Sequence, residues 1–162
     1  MDKKDDNAGC PFCGRGLKNL SFYESPDFIA IYNVAPILPG HALVIPKAHI
    51  ISFFEMSDRE LFEFIKFSRT VLKILAKAFN TEAFNWTLQE KAEAGQSIAH
   101  MHIHIMPRKA EDMAHPGDWY PKLKYNINDI LDSHKRERLT NDQLRTIVER
   151  LRSISAEFSR QL

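Results

Sequence analysis

The sequence has few cysteines, no long apolar run and no excess of charge of either sign. Its 162 residues include only two cysteines, and 22 lysine and arginine residues nearly balance 21 aspartate and glutamate residues. Because no block of basic residues is present, an extended nucleic-acid-binding surface is not expected. No apolar run approaches the roughly 20 residues that cross a bilayer, so no membrane partner is expected either.

The first residues, 1–6, are charged, and no apolar segment follows them as it would in a secretory signal. Both cysteines lie in one short motif, which differs from the disulfide framework of a small secreted domain. The sequence therefore predicts a reducing, cytoplasmic location. Its length and its hydrophobic content of 44% are those of a single globular domain with its own core, spanning residues 1–162.

Two helices are predicted from capping boxes. The segment 57–60 precedes a helix that ends near Asn80, and the segment 140–143 begins a C-terminal helix over about 140–160. The side chains expected to form the buried stripe of the first helix are Leu61, Phe64, Ile65, Ser68, Leu72, Leu75 and Phe79. Those expected for the second are Leu144, Ile147, Val148, Leu151 and Phe158.

Strand patterns fill much of the remaining chain, at 28–32, 42–45, 83–89 and 100–106. Short turns between strands, with one long helix inserted, predict an α+β fold. We expect an antiparallel sheet of about five strands, with the long helix and the C-terminal helix packed on it. The stretch 107–139 is irregular, and its His115, Trp119 and Tyr120 either form a loop over the site or lie on the surface.

Three histidines alternate along the last of these strands. Because a strand sends alternate side chains to opposite faces, His100, His102 and His104 share one face and Met101 and Ile103 share the other. We expect the apolar face to pack on the core and the imidazoles to lie on the exposed face. Three aligned imidazoles are hard to explain by packing, so either a metal site or nucleophilic catalysis is indicated. Three ligands in a straight line surround one metal poorly, which favours a nucleophile.

The two cysteines form the motif Cys10-Pro11-Phe12-Cys13-Gly14, which has three interpretations. A redox pair needs a strand before it and a helix after it, and this context provides neither. Two buried free cysteines are a second interpretation. A zinc knuckle explains the spacing best, and it requires two further ligands.

Two segments identify a family. The run 95–105, which contains His100-Met101-His102-Ile103-His104, resembles the signature of the histidine triad (HIT) superfamily. The Pro-Gly-His strand at 39–47 resembles the second landmark of that superfamily. The resemblance covers about 10–123 and leaves 124–162 as a C-terminal extension, and it implies a HIT-like fold.

Within the superfamily, Asn33 and the segments 93–96 and 107–110 are most similar to the Fhit branch. That branch cleaves dinucleoside polyphosphates such as diadenosine tri- or tetraphosphate, so the resemblance implies a hydrolase with a nucleotide substrate. His102 would attack the α-phosphorus and form a covalent nucleotidyl intermediate, which water then hydrolyses. The other implied catalytic residues are His104, His41 and Gln89. The implied substrate-binding residues are Asn33, Ile31, Leu43, Gln96, Ser97 and Tyr120.

The resemblance also implies a metal site and an assembly. Some bacterial members bind zinc through a cysteine pair, a Pro-Lys-x-His histidine and the first triad histidine. The matching residues here are Cys10, Cys13, His49 and His100, which predicts a structural zinc site that leaves His102 free. Magnesium would be carried by the substrate, and a homodimer is expected.

Three other functions share the same triad. A nucleoside phosphoramidase of the Hint type uses the same nucleophile on a P–N bond. A dinucleotide phosphorylase passes the nucleotidyl group to phosphate instead of water. A non-enzymatic nucleotide sensor would bind without useful turnover.

Overall fold

A five-stranded antiparallel sheet carries both helices on one of its faces. The computed structural model describes residues 9–123 and 136–158. The strands are β1 (Ser21–Glu24), β2 (Phe28–Tyr32), β3 (Ala42–Pro46), β4 (Ala83–Leu88) and β5 (Ile103–Arg108), and the helices are α1 (Asp58–Phe79) and α2 (Asn141–Phe158). The strand order is β1-β2-β3-β5-β4, with every neighbouring pair antiparallel. The predicted α+β class is confirmed.

Alternation along the strands divides the buried side chains between the two faces. On the helix-bearing face, side chains such as Ala30, Val44 and Ile103 pack into the main core with both helices. On the opposite face, Ile31 lies beside Leu43, and Leu43 lies beside His104 in the register of the sheet. This second face belongs to a smaller apolar cluster of Phe12, Ile29, Ile31, Leu43 and Ile45. A histidine of the triad therefore borders an apolar surface.

Helix α1 begins and ends where the sequence predicts. Ser57 accepts a hydrogen bond from the backbone N–H of Glu60, and Asn80 ends the helix in a left-handed conformation at φ 50°. The predicted stripe is wrong at Ile65, which is 43% exposed. The buried residues of the helix are Phe64, Phe67, Ser68, Val71, Ile74, Leu75 and Ala78. The helix is turned so that Phe67, Val71 and Ile74 meet the sheet.

Helix α2 also starts at its predicted capping box, with Gln143 donating its backbone N–H to Thr140 Oγ1 at 3.3 Å. Leu144, Val148 and Leu151 are buried, as predicted. Arg152 donates from Nε to the carbonyl of Ser21 at 2.8 Å, which fixes the helix beside β1.

Two strand predictions differ from the structure. The segment 21–24 was not predicted as a strand, yet it forms β1 at one edge of the sheet. The last strand begins at Ile103 instead of His100, so the first two triad histidines precede it in irregular backbone.

Within residues 9–123 and 136–158, no helix has the length and apolarity to cross a membrane.

Candidate active site

A cavity of about 350 Å³ opens on the sheet face opposite the helices. Phe12, Ile31 and Leu43 contribute apolar walls, and His102 and His104 contribute polar ones. Its volume lies within the roughly 300–1,000 Å³ typical of small-molecule sites. Apolar walls with a few convergent polar groups are suited to a ligand with one flat apolar part and one polar part.

The first two triad histidines are buried, so the expectation that all three lie on an exposed face is wrong. His100 is fully buried and His102 is only 4% exposed. The reason is the segment around Phe12, whose ring packs edge-on against both imidazoles, with ring centroids 5.8 Å from His100 and 5.0 Å from His102. His102 is nevertheless accessible to a ligand, because it lines the cavity.

The tautomer of His102 follows from its single hydrogen bond. Its Nδ1 lies 2.7 Å from the carbonyl oxygen of His100, and because a carbonyl only accepts, Nδ1 must carry the proton. Nε2 then bears the lone pair, and no described residue hydrogen-bonds to it. Burial lowers the pKa of His102, with the carbonyl of His100 opposing the shift in part. The ring is therefore neutral at neutral pH and presents a nucleophilic nitrogen.

His41 and His104 form a chain of oriented donors. The backbone N–H of Ile37 donates to His41 Nδ1 at 3.2 Å, so the proton of His41 lies on Nε2, which donates to His104 Nδ1 at 2.9 Å. The proton of His104 must then be on Nε2. Burial lowers the pKa of His41 to about 3, and it holds the pKa of His104 well below its usual value. His104 is thus a neutral donor on the cavity wall.

Five more of the predicted residues line the cavity, namely Ile31, Asn33, Leu43, Gln89 and Ser97. Asn33 accepts the backbone N–H of Ala35 with its side-chain oxygen at 2.9 Å, which fixes its amide at the end of β2. Gln89 follows β4 and is only 6% exposed. The end of β4 and the loop before β5 therefore place polar side chains near His102.

Two predicted contacts are not in the cavity wall. Gln96 donates from Nε2 to the carbonyl of Ile51 and accepts the backbone N–H of Lys91, both at 2.9 Å, so its amide braces the loop before the triad. Tyr120 is 51% exposed and packs edge-on against Trp119. Neither lines the cavity in this structure.

Of the remaining two histidines, only His115 lies within the described residues, and it does not line the cavity. His115 is exposed and lies 3.4 Å from a carboxylate oxygen of Asp118. His134 falls outside the described residues.

The four predicted metal ligands meet beside the cavity. Donor atoms of Cys10, Cys13, His49 and His100 all lie within 4.8 Å of one another. His100 Nδ1 is 3.4 Å from Cys10 Sγ and 3.5 Å from Cys13 Sγ, and His49 Nδ1 is 3.2 Å from Cys13 Sγ. A tetrahedral zinc ion with its usual bond lengths separates nitrogen and sulfur ligands by roughly 3.5 Å. This group could therefore hold a metal ion.

The tautomer of His100 fits this role. Its Nε2 donates to the carbonyl of Pro46 at 2.9 Å, so the lone pair is on Nδ1, which faces the cysteines. The carbonyl of the same residue accepts the Nδ1 proton of His102. One residue thus connects the metal ligands to the candidate nucleophile.

Sequence reasoning missed two groups in the cavity wall. Phe12 is one of them, and the available signal is an aromatic residue between two cysteines whose predicted metal partner is the triad residue His100. Arg136 and Arg138 also line the cavity. No motif or periodicity surrounds them, so only the fold could place them there.

Comparison with known proteins agrees with this geometry. The HIT domain family model matches residues 16–111, which is more than half of the chain. The chain belongs to the HIT domain family. The resemblance seen in the sequence is thereby confirmed, as is its Fhit-like character, because the similar curated proteins include HIT hydrolases of dinucleoside polyphosphates.

Among these HIT relatives is the bis(5'-nucleosyl)-tetraphosphatase (asymmetrical) of Schizosaccharomyces pombe. It is 32% identical over 124 residues, which cover 75% of this chain and 68% of the relative. The bis(5'-adenosyl)-triphosphatase of Dictyostelium discoideum is 28% identical, covering 64% of this chain and 69% of the relative. The chain spans only 28% of the Caenorhabditis elegans nitrilase and fragile histidine triad fusion protein, at 32% identity.

Solved HIT structures share the fold. A zinc-bound histidine triad family protein from Mycobacterium smegmatis superposes with a TM-score of 0.70 at 18% identity, covering 96% of this chain and 99% of that one. At this identity the similarity concerns the fold alone. The Plasmodium falciparum diadenosine triphosphate hydrolase superposes with a TM-score of 0.66 at 25% identity, covering 86% of this chain and 78% of that one.

Proposed function

We propose that this HIT protein hydrolyses dinucleoside polyphosphates, such as diadenosine tri- or tetraphosphate, through a covalent nucleotidyl intermediate on His102. The observation that carries the proposal is the neutral His102 ring, whose Nδ1 proton is fixed on the carbonyl of His100 and whose Nε2 is unpartnered among the described residues. The two relatives described above, a tetraphosphatase and a triphosphatase, support this substrate class.

The first step forms a P–N bond. The Nε2 lone pair of His102 attacks the α-phosphorus, and the bond from that phosphorus to the bridging oxygen breaks, so the second nucleotide leaves with the electron pair. An uncharged imidazole suits this attack, because a phosphodiester anion repels a negatively charged nucleophile such as a carboxylate. The imidazolium that forms is stabilised by its Nδ1 proton on the carbonyl of His100.

The second step returns the enzyme to its starting state. Water attacks the same phosphorus and releases a proton to the solvent, the P–N bond breaks, and a nucleoside monophosphate leaves while Nε2 recovers its lone pair. In both steps His104 Nε2–H donates to a non-bridging oxygen, held in that tautomer by His41. Donors aligned in advance on the developing charge are usually the largest contribution to catalysis. Gln89 and Ser97 line the same wall and serve as further donors.

The nucleoside is bound by the apolar end of the cavity. Ile31 and Leu43 lie side by side on the sheet, and Phe12 faces the same small cluster. A flat base between such walls gains from the burial of apolar surface, at roughly 25 cal/mol per Å². Asn33 lines the same cavity, and we propose that its side-chain amide hydrogen-bonds the ribose.

The metal is proposed to be structural zinc. Two thiolates and two imidazoles are a common donor set of structural zinc sites. Cys10, Cys13, His49 and His100 would hold the ion, which would link the N-terminal segment to the backbone that carries His102. Magnesium, if required, would arrive with the substrate phosphates. A cytoplasmic location stays a prediction.

The deciding experiment is intact-mass analysis of the protein quenched during turnover of diadenosine triphosphate. We expect a nucleotide-sized adduct in the wild type and none in H102A, with turnover reduced by at least about a thousandfold. H115A is the matched control, because that imidazole is exposed and does not line the cavity, and it should behave as wild type. Circular dichroism must show that H102A is folded.

Product analysis separates the other functions of this triad. Release of nucleoside monophosphate from diadenosine triphosphate, unaffected by added phosphate, supports the proposal. Incorporation of isotopically labelled phosphate into a nucleoside diphosphate, in place of nucleoside monophosphate release, would identify a phosphorylase. Faster turnover of adenosine phosphoramidate would identify a phosphoramidase. Binding without turnover of either substrate would indicate a sensor. Each of these last three results would contradict the proposed hydrolase.

A further inference from the structure

The cavity wall carries two arginines that the proposed mechanism does not use. Arg136 and Arg138 line the cavity together with His102 and His104, and no aspartate or glutamate is among the described residues of the lining. Both arginines lie beyond the region matched by the HIT domain model, which ends at residue 111. The segment that follows the HIT match therefore brings positive charge to the site.

Arg136 is held in place by the backbone of two separate segments. Its Nε donates to the carbonyl of Ala35, and its Nη1 donates to the carbonyl of Lys122, both at 2.8 Å. Its positive charge adds to burial in lowering the pKa of His41 and of His104, which places the guanidinium near the donor chain. It is thus a positioned cation and differs from a mobile surface side chain.

Arg138 follows on the same segment and is exposed. The backbone N–H of Leu139 donates to the carbonyl of Val34 at 3.0 Å, so the segment runs beside the end of β2. That end carries Asn33, which lines the cavity next to the apolar walls. Arg136 therefore lies near the donor chain of His41 and His104, and Arg138 lines the same cavity from a solvent-exposed position.

We propose that Arg136 and Arg138 form a subsite for the phosphate chain of the substrate, beyond the phosphate that His102 attacks. The proposal rests on the proposed function for the identity of that substrate. Each added phosphate brings a further negative charge, and a guanidinium offers several N–H donors in a planar fork that matches phosphate oxygens. The subsite would favour compounds with a longer phosphate chain over mononucleotides.

Calorimetric titration with inorganic tripolyphosphate tests the subsite without requiring turnover. We expect R136Q and R138Q each to weaken tripolyphosphate binding about tenfold, and R138K, which keeps the positive charge, to weaken it less than R138Q. Adenosine, which has no phosphate, should bind all variants equally. R145Q is the matched control, because Arg145 is an exposed arginine of α2 that pairs with Asp142 at 2.8 Å and does not line the cavity.

Kinetics with diadenosine tetraphosphate provide the second measurement. We expect KM to rise about tenfold in R138Q while kcat changes little. We also expect added salt to weaken tripolyphosphate binding more steeply in the wild type than in R138Q, because the variant has lost one positive charge. R138Q decides the question, because R136Q also removes the hydrogen bonds that hold residue 136 to Ala35 and Lys122. Wild-type affinity for tripolyphosphate in R138Q, or an equal loss of adenosine binding, would overturn the subsite. Arginine-dependent tripolyphosphate binding without dinucleotide turnover would support the subsite and contradict only the proposed hydrolase.

Discussion

The reactivity of His102 is decided by one backbone carbonyl. The carbonyl of His100 fixes the proton on Nδ1 and leaves Nε2 for attack. Burial separately lowers the pKa of the ring, so the neutral form persists below the ordinary histidine value of 6.5. Hydrogen bonding thus chooses the nucleophilic atom, and burial keeps it unprotonated.

This lowered pKa predicts the acid side of the pH profile. Because a depressed pKa keeps His102 neutral as the pH falls through 6.5, kcat/KM for diadenosine triphosphate should stay constant there and decline only at lower pH. Steady-state kinetics from pH 8 to pH 5, with bound metal measured at each pH, would test this. An acid limb with its midpoint at or above pH 6.5 would show that the imidazole is not kept neutral by burial.

Gly40, which precedes His41, has a backbone conformation and close neighbours that disfavour any residue with a side chain. Its φ is +91°, and a Cβ at this position would lie 2.6 Å from Cγ of Pro107. We expect Gly40→Ala to lower the free energy of unfolding by about 2–4 kcal/mol, through the strained φ and the overlap. Urea unfolding would measure the loss. Gly117→Ala is the control, because a Cβ there meets nothing within 4 Å, and an equal cost in both variants would contradict this explanation.

At the scale of elements, the N-terminal segment from Cys10 to Cys13 acts as a cover on the triad. Its two cysteines face His49 and His100, while Phe12 between them packs on the ring of His102. This short loop has little structure of its own, so its position depends on those few contacts. A metal ion bound by the four ligands would add strong bonds where the structure otherwise has only weak ones.

Metal removal should therefore loosen the cover. We expect the wild type to contain about one zinc per chain and to lose roughly 5–15 °C of melting temperature after chelation, from a loss of a few kcal/mol. Cys13→Ser should show the lower melting temperature without chelator, whereas H115A should respond to chelation as the wild type does. Elemental analysis would measure the zinc content per chain, and calorimetry would measure the melting temperature. A metal-free wild type that melts at the same temperature with and without chelator would contradict the prediction.

At the scale of the whole molecule, the sheet has an edge suited to association. Strand β4 is the outermost strand next to β5, and its Trp86 is 40% exposed. An unprotected edge strand can pair with the same strand of a second copy and continue the sheet. The expected homodimer would form in this way.

Substitution at this edge tests the dimer. We expect the wild type to sediment as a dimer and Trp86→Glu to sediment as a monomer, because a buried carboxylate without a partner opposes association. Glu82→Gln, just before the strand, is a mild change that should leave the dimer intact. Analytical ultracentrifugation over a range of concentrations would measure both. A monomeric wild type, or a dimer that Trp86→Glu does not affect, would exclude this edge as the interface.

The sequence by itself determined the helices, most of the strands and the identity of the central site residues. Ser57 and Thr140 begin their helices as predicted, because capping is a local interaction between residues three apart. The cysteine spacing indicated a zinc knuckle, and the resemblance to the HIT superfamily supplied its other two ligands, so the four residues that meet beside the cavity were named from the sequence.

Only the tertiary structure decided the burial of the triad, the tautomers and the charge of the cavity wall. The covering segment meets His100 across 90 positions of the chain, and Arg136 meets Ala35 across 101. Local periodicity cannot predict such contacts. It indicates which side chains share a face of an element, but it does not indicate which distant segment packs against that face. Both the burial that keeps His102 neutral and the arginines beside it therefore depend on packing between distant segments.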